Sequence, residues 1–192
     1  MSAKTTSAVL LGGSLLLGVT HLSATPTATM LADTCAGCHG TDGSSRGPAT
    51  PTIAGASAEY FKTTMEEYKN DTREGTIMNR IAKGYNDEEI ALMAEHFAAR
   101  EFQRLSQDLE PVQVEAGSEL YEANCETCHD ESGALPDDDA GILAGQWLPY
   151  LEYSIEDFKS GRRAWPKKMK KKVEKLEDAE LEALLKYFAS QR

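Results

Sequence analysis

Two short stretches hold all four cysteines of this chain, Cys35-Ala-Gly-Cys-His39 and Cys125-Glu-Thr-Cys-His129. Each is a C-x-x-C-H motif, which is typical of the attachment site of a c-type haem. The two thiols of a motif can each form a thioether bond to one porphyrin, and the adjoining histidine can bind its iron. The motifs therefore predict two covalently bound haem groups. The predicted attachment residues are Cys35, Cys38, Cys125 and Cys128, and the predicted proximal iron ligands are His39 and His129.

Paired cysteines of this kind have two other uses in proteins. A zinc site would require the two distant motifs to come together in space. A thioredoxin-like redox pair would follow a β-strand in a βαβ pattern, and the sequence shows no such strand. Two complete motifs with no cysteine left over favour haem over both alternatives.

The composition describes a globular protein with an excess of negative charge. Hydrophobic residues make up 41% of the chain and charged residues 27%, both ordinary values. The formal net charge of −11 argues against nucleic acid as a partner, because phosphate binding needs a basic surface. It is compatible with docking to basic proteins.

The N-terminus has the features of a secretory signal. Lys4 precedes an apolar stretch over residues 8–19, and Leu22-Ser-Ala24 offers a small residue at the cleavage position. Residues 1–24 are therefore predicted to be a cleaved signal peptide that directs the chain to the periplasm. The stretch is too short to favour a membrane span, so membrane association is not expected. An uncleaved membrane anchor is the alternative.

The two motifs belong to an internal repeat with an offset of 90 residues. Ile53-Ala-Gly55 aligns with Leu143-Ala-Gly145 at this offset. One extra residue in the second half then changes the offset to 91, which aligns Met78 with Met169. Several residue types keep one register, and chance similarity would not produce that. The sequence therefore predicts two homologous domains.

The predicted domains cover residues 25–105 and 113–192. The linker between them, residues 106–112, contains Pro111 and several polar residues. Domains of this size bury little apolar surface, so we expect the haem itself to complete each core.

Both halves show helical periodicity and neither shows the alternation of a β-strand. Long helices are predicted over residues 57–70 and 87–104 in the first half and over residues 149–160 and 178–191 in the second. The last helix of each half has apolar residues at positions i, i+3, i+4 and i+7. These are Ile90, Met93, Ala94 and Phe97 in the first half, and Leu181, Leu184, Leu185 and Phe188 in the second. The predicted fold class is all-α, with one domain built twice.

A second axial ligand for each iron must come from elsewhere in the same half. The first half offers Met65, Met78, Met93 and His96. Only Met78 aligns with another methionine, Met169, so these two are the predicted ligands. Met65 and Met93 are predicted to fill the core, and His96 to be partly exposed. A histidine and a methionine on each iron raise the reduction potential and leave no open site for a substrate.

Two prolines could orient the proximal histidines. The carbonyl of Pro48 could accept the ring N–H of His39, and Pro136 is its loose counterpart in the second half. A rigid turn is the alternative for both.

Positive charge is concentrated around Met169. Residues 159–175 contain nine lysines and arginines and a single acid, Glu174. This cluster could steer an acidic partner to the second haem. A solvated basic face is the alternative.

Several stretches resemble the dihaem cytochrome subunit of flavocytochrome c sulfide dehydrogenase. They are Thr76-Ile-Met-Asn-Arg-Ile-Ala-Lys-Gly-Tyr85, Ile142-Leu-Ala-Gly-Gln-Trp-Leu-Pro-Tyr150, Lys167-Lys-Met169 and Met30-Leu31 before the first motif. The similarity extends over essentially the whole mature chain.

The resemblance implies two tandem class I cytochrome c-like domains, each enclosing one covalently bound haem. It also implies a partner, a flavoprotein subunit that oxidises sulfide and carries the FAD. Electrons would pass from that flavin to the haems and on to a soluble acceptor such as a small cytochrome c. The chain itself would have no substrate chemistry.

Two other functions are compatible with the residues. A free-standing periplasmic dihaem cytochrome c could carry electrons to a terminal oxidase or reductase. A haem peroxidase would need an open iron, which Met78 and Met169 argue against.

Overall fold

A computed structural model describes residues 25–192, and the predicted signal peptide over residues 1–24 lies outside this range. The described residues form ten helices and no β-strand, which confirms the all-α prediction. In chain order the helices are α1 Ala28–Asp33, α2 Ala36–His39, α3 Ala58–Lys69, α4 Met78–Ala82, α5 Asp87–Ala98, α6 Pro111–Asn124, α7 Asp130–Gly133, α8 Leu148–Lys159, α9 Lys167–Val173 and α10 Asp178–Ser190. None of these helices is long and apolar enough to cross a membrane.

Helices α1 to α5 surround one apolar core, and α6 to α10 surround another. In the first half α1 and α3 pack on α5, and in the second α6 and α8 pack on α10. The predicted apolar stripe of α5 is fully buried, with Ile90, Met93, Ala94 and Phe97 at most 2% exposed. The stripe of α10 is buried in the same way. The helical periodicity therefore predicted the buried face of both helices correctly.

The repeat is also present in the main-chain hydrogen bonds. The carbonyl of Gly43 accepts the N–H groups of Ile53 and Ala54, and Gly133 does the same for Leu143 and Ala144. Both glycines have a left-handed φ, +86° and +77°. A Cβ atom on Gly43 would lie 2.8 Å from the Phe97 ring, and one on Gly133 would lie 3.2 Å from the Phe188 ring. These positions require glycine because the loop passes directly over the last helix of its domain.

An ion pair recurs at the same place in each domain. Lys69 Nζ lies 2.8 Å from Asp87 Oδ1, and Lys159 Nζ lies 2.7 Å from Asp178 Oδ1. Each pair joins the end of one long helix to the start of the next. The hydrogen bond from Lys159 lowers the pKa of Asp178.

The region between the two halves differs from the sequence prediction. Helix α5 ends at Ala98 and not at residue 104, because the Phe97 carbonyl accepts the N–H groups of Gly55 and Arg100. Helix α6 begins at Pro111, the first position of a helix, where a missing N–H costs nothing. It therefore takes in two residues of the predicted linker.

The two domains are joined by a buried side-chain amide. Gln146, 3% exposed, accepts the Thr52 N–H at 2.9 Å and donates to the Thr52 carbonyl at 3.0 Å. The adjacent Trp147 donates its indole N–H to the Ser45 carbonyl at 3.1 Å. All three hydrogen bonds join the two domains. They hold the loop that follows the first cysteine motif against the second domain.

A main-chain hydrogen bond joins the domains at another point. The Glu74 N–H donates to the Arg162 carbonyl at 3.1 Å. Glu74 lies in the segment that leads to α4, and Arg162 lies in the segment that leads to α9.

Candidate haem-binding sites

The two cysteine motifs adopt the same single turn. The His39 N–H donates to the Cys35 carbonyl at 2.9 Å, and the His129 N–H donates to the Cys125 carbonyl at 3.0 Å. This turn is helix α2 in the first domain, whereas in the second it follows the end of α6. A short helix is therefore formed by the motif only in the first domain, but the local geometry is shared.

All four thiols are free, and they divide in the same way in each motif. The first cysteine, Cys35 or Cys125, is half-buried, and the second, Cys38 or Cys128, is exposed. Burial raises the pKa of the Cys35 and Cys125 thiols. Among residues 25–192 no cluster of three or more His, Cys, Asp or Glu side chains could hold a metal ion. The described residues thus give no support to the zinc alternative, and the free thiols fit thioether attachment.

His39 is held by the main chain of the loop that follows it. Its ring is buried, and Nδ1 lies 2.8 Å from the Pro51 carbonyl oxygen. This leaves Nε2 as the nitrogen free to bind an iron. Burial lowers the pKa of His39, and the Pro51 hydrogen bond acts in the opposite direction. The prediction of Pro48 as the partner was wrong, because the loop bonded to Gly43 brings the carbonyl three residues later against the ring.

The second histidine has a different neighbourhood. The His129 ring packs edge-on against Phe188, with the ring centroids 6.0 Å apart. Burial lowers the pKa of His129 too. Its main-chain carbonyl accepts the Tyr121 hydroxyl at 2.7 Å. No hydrogen bond to Pro136 is found in the described part of the chain, so the loose equivalence of Pro136 to Pro48 did not identify a partner.

The two aligned methionines, Met78 and Met169, each lie in a short helix. Met78 is the first residue of α4, and Met169 is the third residue of α9. Each is half-buried and packs on the core of its own domain, where Cys35 or Cys125 packs as well. Each domain thus brings its candidate methionine and the first cysteine of its motif to one apolar core.

The other first-domain candidates have the predicted structural roles. Met65 is 5% exposed and Met93 is fully buried, so both fill the core. His96 is partly exposed, and its Nε2 lies 3.2 Å from the Arg100 guanidinium.

A buried arginine near the domain interface was missed by the sequence analysis. Arg73 is 6% exposed and lies over the Tyr68 ring, 5.0 Å from its centroid. Its Nη1 donates to Thr64 Oγ1 at 3.3 Å and reaches Glu67 only at 3.5 Å. The repeat could have found it, because Arg163 aligns with Arg73 and lies 4.3 Å over Phe158, the counterpart of Tyr68.

These two arginines line a cleft of about 330 Å³ between the domains. Tyr60 lines the same cleft, and the positive charges of Arg163 and Arg73 lower its pKa against the effect of burial. A guanidinium has five donors, and the hydrogen bonds from Arg73 to Thr64 and Glu67 both use Nη1. A haem carries carboxylate side chains, so a buried cation with spare donors fits that group.

Family comparisons match both halves of the chain. The family described as Cytochrome c matches residues 25–99, and the family described as Cytochrome C oxidase, cbb3-type, subunit III matches residues 112–188. The chain is 30% identical over 140 residues to cytochrome c4 of Pseudomonas aeruginosa, which covers 67% of this chain and 68% of the relative. The chain belongs to the dihaem c-type cytochromes.

This dihaem cytochrome is also 52% identical over 68 residues to the cytochrome subunit of sulfide dehydrogenase of Chlorobaculum tepidum. That match covers 35% of this chain and 61% of the relative, so it spans less than two thirds of the relative's length. The crystal structure of reduced recombinant cytochrome c4 from Pseudomonas stutzeri has a similar fold. Its TM-score is 0.76 at 22% identity, covering 86% of this cytochrome and 97% of that chain.

The predicted fold class and cofactors are thereby confirmed. The cytochrome has two cytochrome c domains and carries two covalent haem c groups. It is an electron-transfer protein related both to the sulfide dehydrogenase cytochrome subunit and to cytochrome c4.

Proposed function

We propose that this cytochrome is the electron-transfer subunit of a flavocytochrome c sulfide dehydrogenase. In this role it accepts electrons from an FAD-containing subunit that oxidises sulfide and passes them to a soluble acceptor such as a small cytochrome c. The observation that carries the proposal is the 52% identity to the sulfide dehydrogenase cytochrome subunit over 68 residues. The proposed location is the periplasm, after cleavage of the signal peptide near residue 25.

The proposed haem attachment residues are Cys35, Cys38, Cys125 and Cys128, and the proposed axial ligands are His39 with Met78 and His129 with Met169. Bound haem supplies reversible one-electron transfer at its iron. The chain's own residues hold and shield it. The Pro51 carbonyl holds the His39 ring, and Met78 and Met169 would each supply a sulfur ligand that keeps outside molecules away from the iron.

The ligand proposal is tested by single substitutions. Replacing Met78 or Met169 with Ala should abolish that haem's far-red sulfur-to-iron charge-transfer band and let the reduced protein bind carbon monoxide. Met30→Ala is the matched control, because Met30 is 63% exposed. Retention of both bands in either ligand variant would contradict the assignment.

The subunit proposal is tested by purification from the native host. We expect the cytochrome to co-purify with a yellow, FAD-containing protein and to be reduced by sulfide only in that complex. The intact mass of the chain should equal residues 25–192 plus two haems, to within a few residues at the N-terminus. A species that keeps Met1 would contradict cleavage.

A second function is supported by the longer alignment with cytochrome c4. In this alternative the chain is a free-standing periplasmic carrier that feeds a terminal oxidase or reductase. Purification as a lone red protein with no bound flavin would favour it over the subunit role.

A further inference from the structure

Helix α9 presents an unusually basic surface beside the second candidate methionine. Its exposed lysines flank the half-buried Met169 on both sides, and no residue of α9 is fully buried. They are Lys167, Lys168, Lys170, Lys171 and Lys172, and exposed Lys175 follows the helix; together we call them the α9 lysine face. Among the described residues, only the Lys170–Glu174 pair, at 3.6 Å, gives this face an ion-pair partner.

Only part of this charge serves the helix itself, where Lys170, Lys171 and Lys172 in the last turn complement the helix dipole. Lys167 with Lys171, and Lys168 with Lys172, are like charges four residues apart, which destabilise a helix by about 0.2–0.5 kcal/mol per pair. Lys167 and Lys168 also occupy the first turn, where the helix dipole disfavours cations. The whole chain carries a formal charge of −11, so a concentrated positive face opposes its general charge. Lysines that destabilise this helix and are nevertheless concentrated in it indicate a role other than folding.

The equivalent surface of the first domain is much less basic, with Arg80 as the counterpart of Lys171 and no other cation within α4. At the offset of 91 residues, Ile77 takes the place of Lys168, and Ile81 takes the place of Lys172. Ile77 is 46% exposed and Ile81 is 37% exposed, so both contribute to the surface around Met78. The two domains share one fold and yet differ in chemistry at the surface around the candidate methionine. The lysines are therefore not a requirement of the cytochrome c domain.

From this contrast we propose that the α9 lysine face is the docking surface for an acidic electron-transfer protein, which exchanges electrons with the second haem. The inference rests on the proposed role as an electron relay and names the surface where the soluble partner binds. Complementary charge would bring that partner to the helix that carries Met169 and speed association at low salt.

The structure favours a protein partner over a lipid surface. A membrane-binding amphipathic helix needs a free apolar face opposite its lysines. In α9 the apolar side chains Met169 and Val173 pack inward against the core of the second domain. No apolar face of this helix is left to enter a bilayer.

The test uses the isolated dihaem protein, chemically reduced, in stopped-flow mixing with two oxidised probes. One probe is an acidic plastocyanin and the other is a basic mitochondrial cytochrome c. The test variant is Lys168→Glu with Lys172→Glu. The control is Arg46→Glu with Arg80→Glu, which makes the same change in net charge at two exposed cations of the first domain.

We expect the rate constant with plastocyanin to fall steeply as salt is raised. The lysine variant should lower that rate constant about tenfold or more at low salt and remove most of its salt dependence, the usual range for electrostatic steering. The arginine control should change it less than about twofold, and a Lys168→Arg, Lys172→Arg variant should retain it. The rate constant with the basic cytochrome should not fall in the lysine variant.

Equal plastocyanin rates in the lysine variant and the arginine control would overturn the docking surface while leaving the relay role intact. Failure of the reduced protein to react with either probe would refute the relay role and the docking surface together. Salt-sensitive sedimentation with anionic phospholipid vesicles, lost in the lysine variant without a change in plastocyanin rate, would assign the face to a membrane and refute the protein partner.

Discussion

Replacing Gln146 with Ala should loosen the contact between the two domains. The Gln146 amide makes two hydrogen bonds to the main chain of Thr52, at 2.9 and 3.0 Å, and both residues are buried. Each lost bond contributes about 1 kcal/mol net, and a buried group left without a partner costs more. The free energy of domain docking should therefore fall by about 2–4 kcal/mol.

Hydrogen exchange at the Thr52 amide reports on this contact, because its N–H donates to Gln146 across the interface. If exchange occurs through opening of the domain interface, 2–4 kcal/mol corresponds to a loss of protection of roughly 30-fold to 1,000-fold. Exchange is followed by mass spectrometry in a peptide that spans residues 43–56. Peptides from the cores of the two domains should keep nearly all of their protection.

Two further variants make the result specific. Gln191→Ala removes the same side chain from a position where it bonds only within its own domain, to the Tyr187 carbonyl and Ser190 Oγ. It should leave Thr52 protected. Gln146→Glu keeps the acceptor but places a carboxylate oxygen against the Thr52 carbonyl, so protection should fall at least as far as with Ala. Equal protection of Thr52 in Gln146→Ala and Gln191→Ala would refute the reasoning.

Three other substitutions test features of single domains by urea unfolding. Gly43→Ala should destabilise by about 2–4 kcal/mol, because φ is +86° and the new Cβ would lie 2.8 Å from the Phe97 ring; an unchanged midpoint would contradict the close approach. Arg73→Gln should cost about 1–3 kcal/mol through loss of its buried contact over a tyrosine ring, and a neutral result would mean that the cation has no structural role. Asp178→Asn removes a carboxylate whose pKa the Lys159 hydrogen bond lowers from 3.8. Its contribution to stability is present above pH 3.8 and is lost as the pH falls through the lowered pKa, so wild type and variant should differ at pH 6 and converge in strong acid; a constant difference would argue against the pair.

The repeat made much of the fold predictable. Spacing alone aligned α3 with α8 and α5 with α10, because the core face of a helix recurs with a fixed period. The same alignment selected Met78 and Met169, since a structural methionine such as Met93 has no need to recur. Helix positions set by apolar packing could therefore be read from the sequence.

Features set by polar contacts at a distance could not be predicted in this way. Pro111 marks a helix start as readily as a linker, and only the packing of α6 on α10 decides between them. Pro51, not Pro48, accepts the His39 ring because of the path of an irregular loop. Gln146 looks like an ordinary surface residue in the sequence, and its burial depends on the first domain, where its partner Thr52 lies 94 residues earlier.

The main-chain bond between Glu74 and Arg162 is made of atoms that almost every residue type carries. Side-chain replacement at position 162 cannot remove it, and at position 74 only proline would. It ties together the approaches to α4 and α9, so their separation is insensitive to sequence drift in either helix. One half can therefore carry lysines at positions where the other carries isoleucines, and the two halves can present different surfaces while the segments that lead to α4 and α9 stay joined.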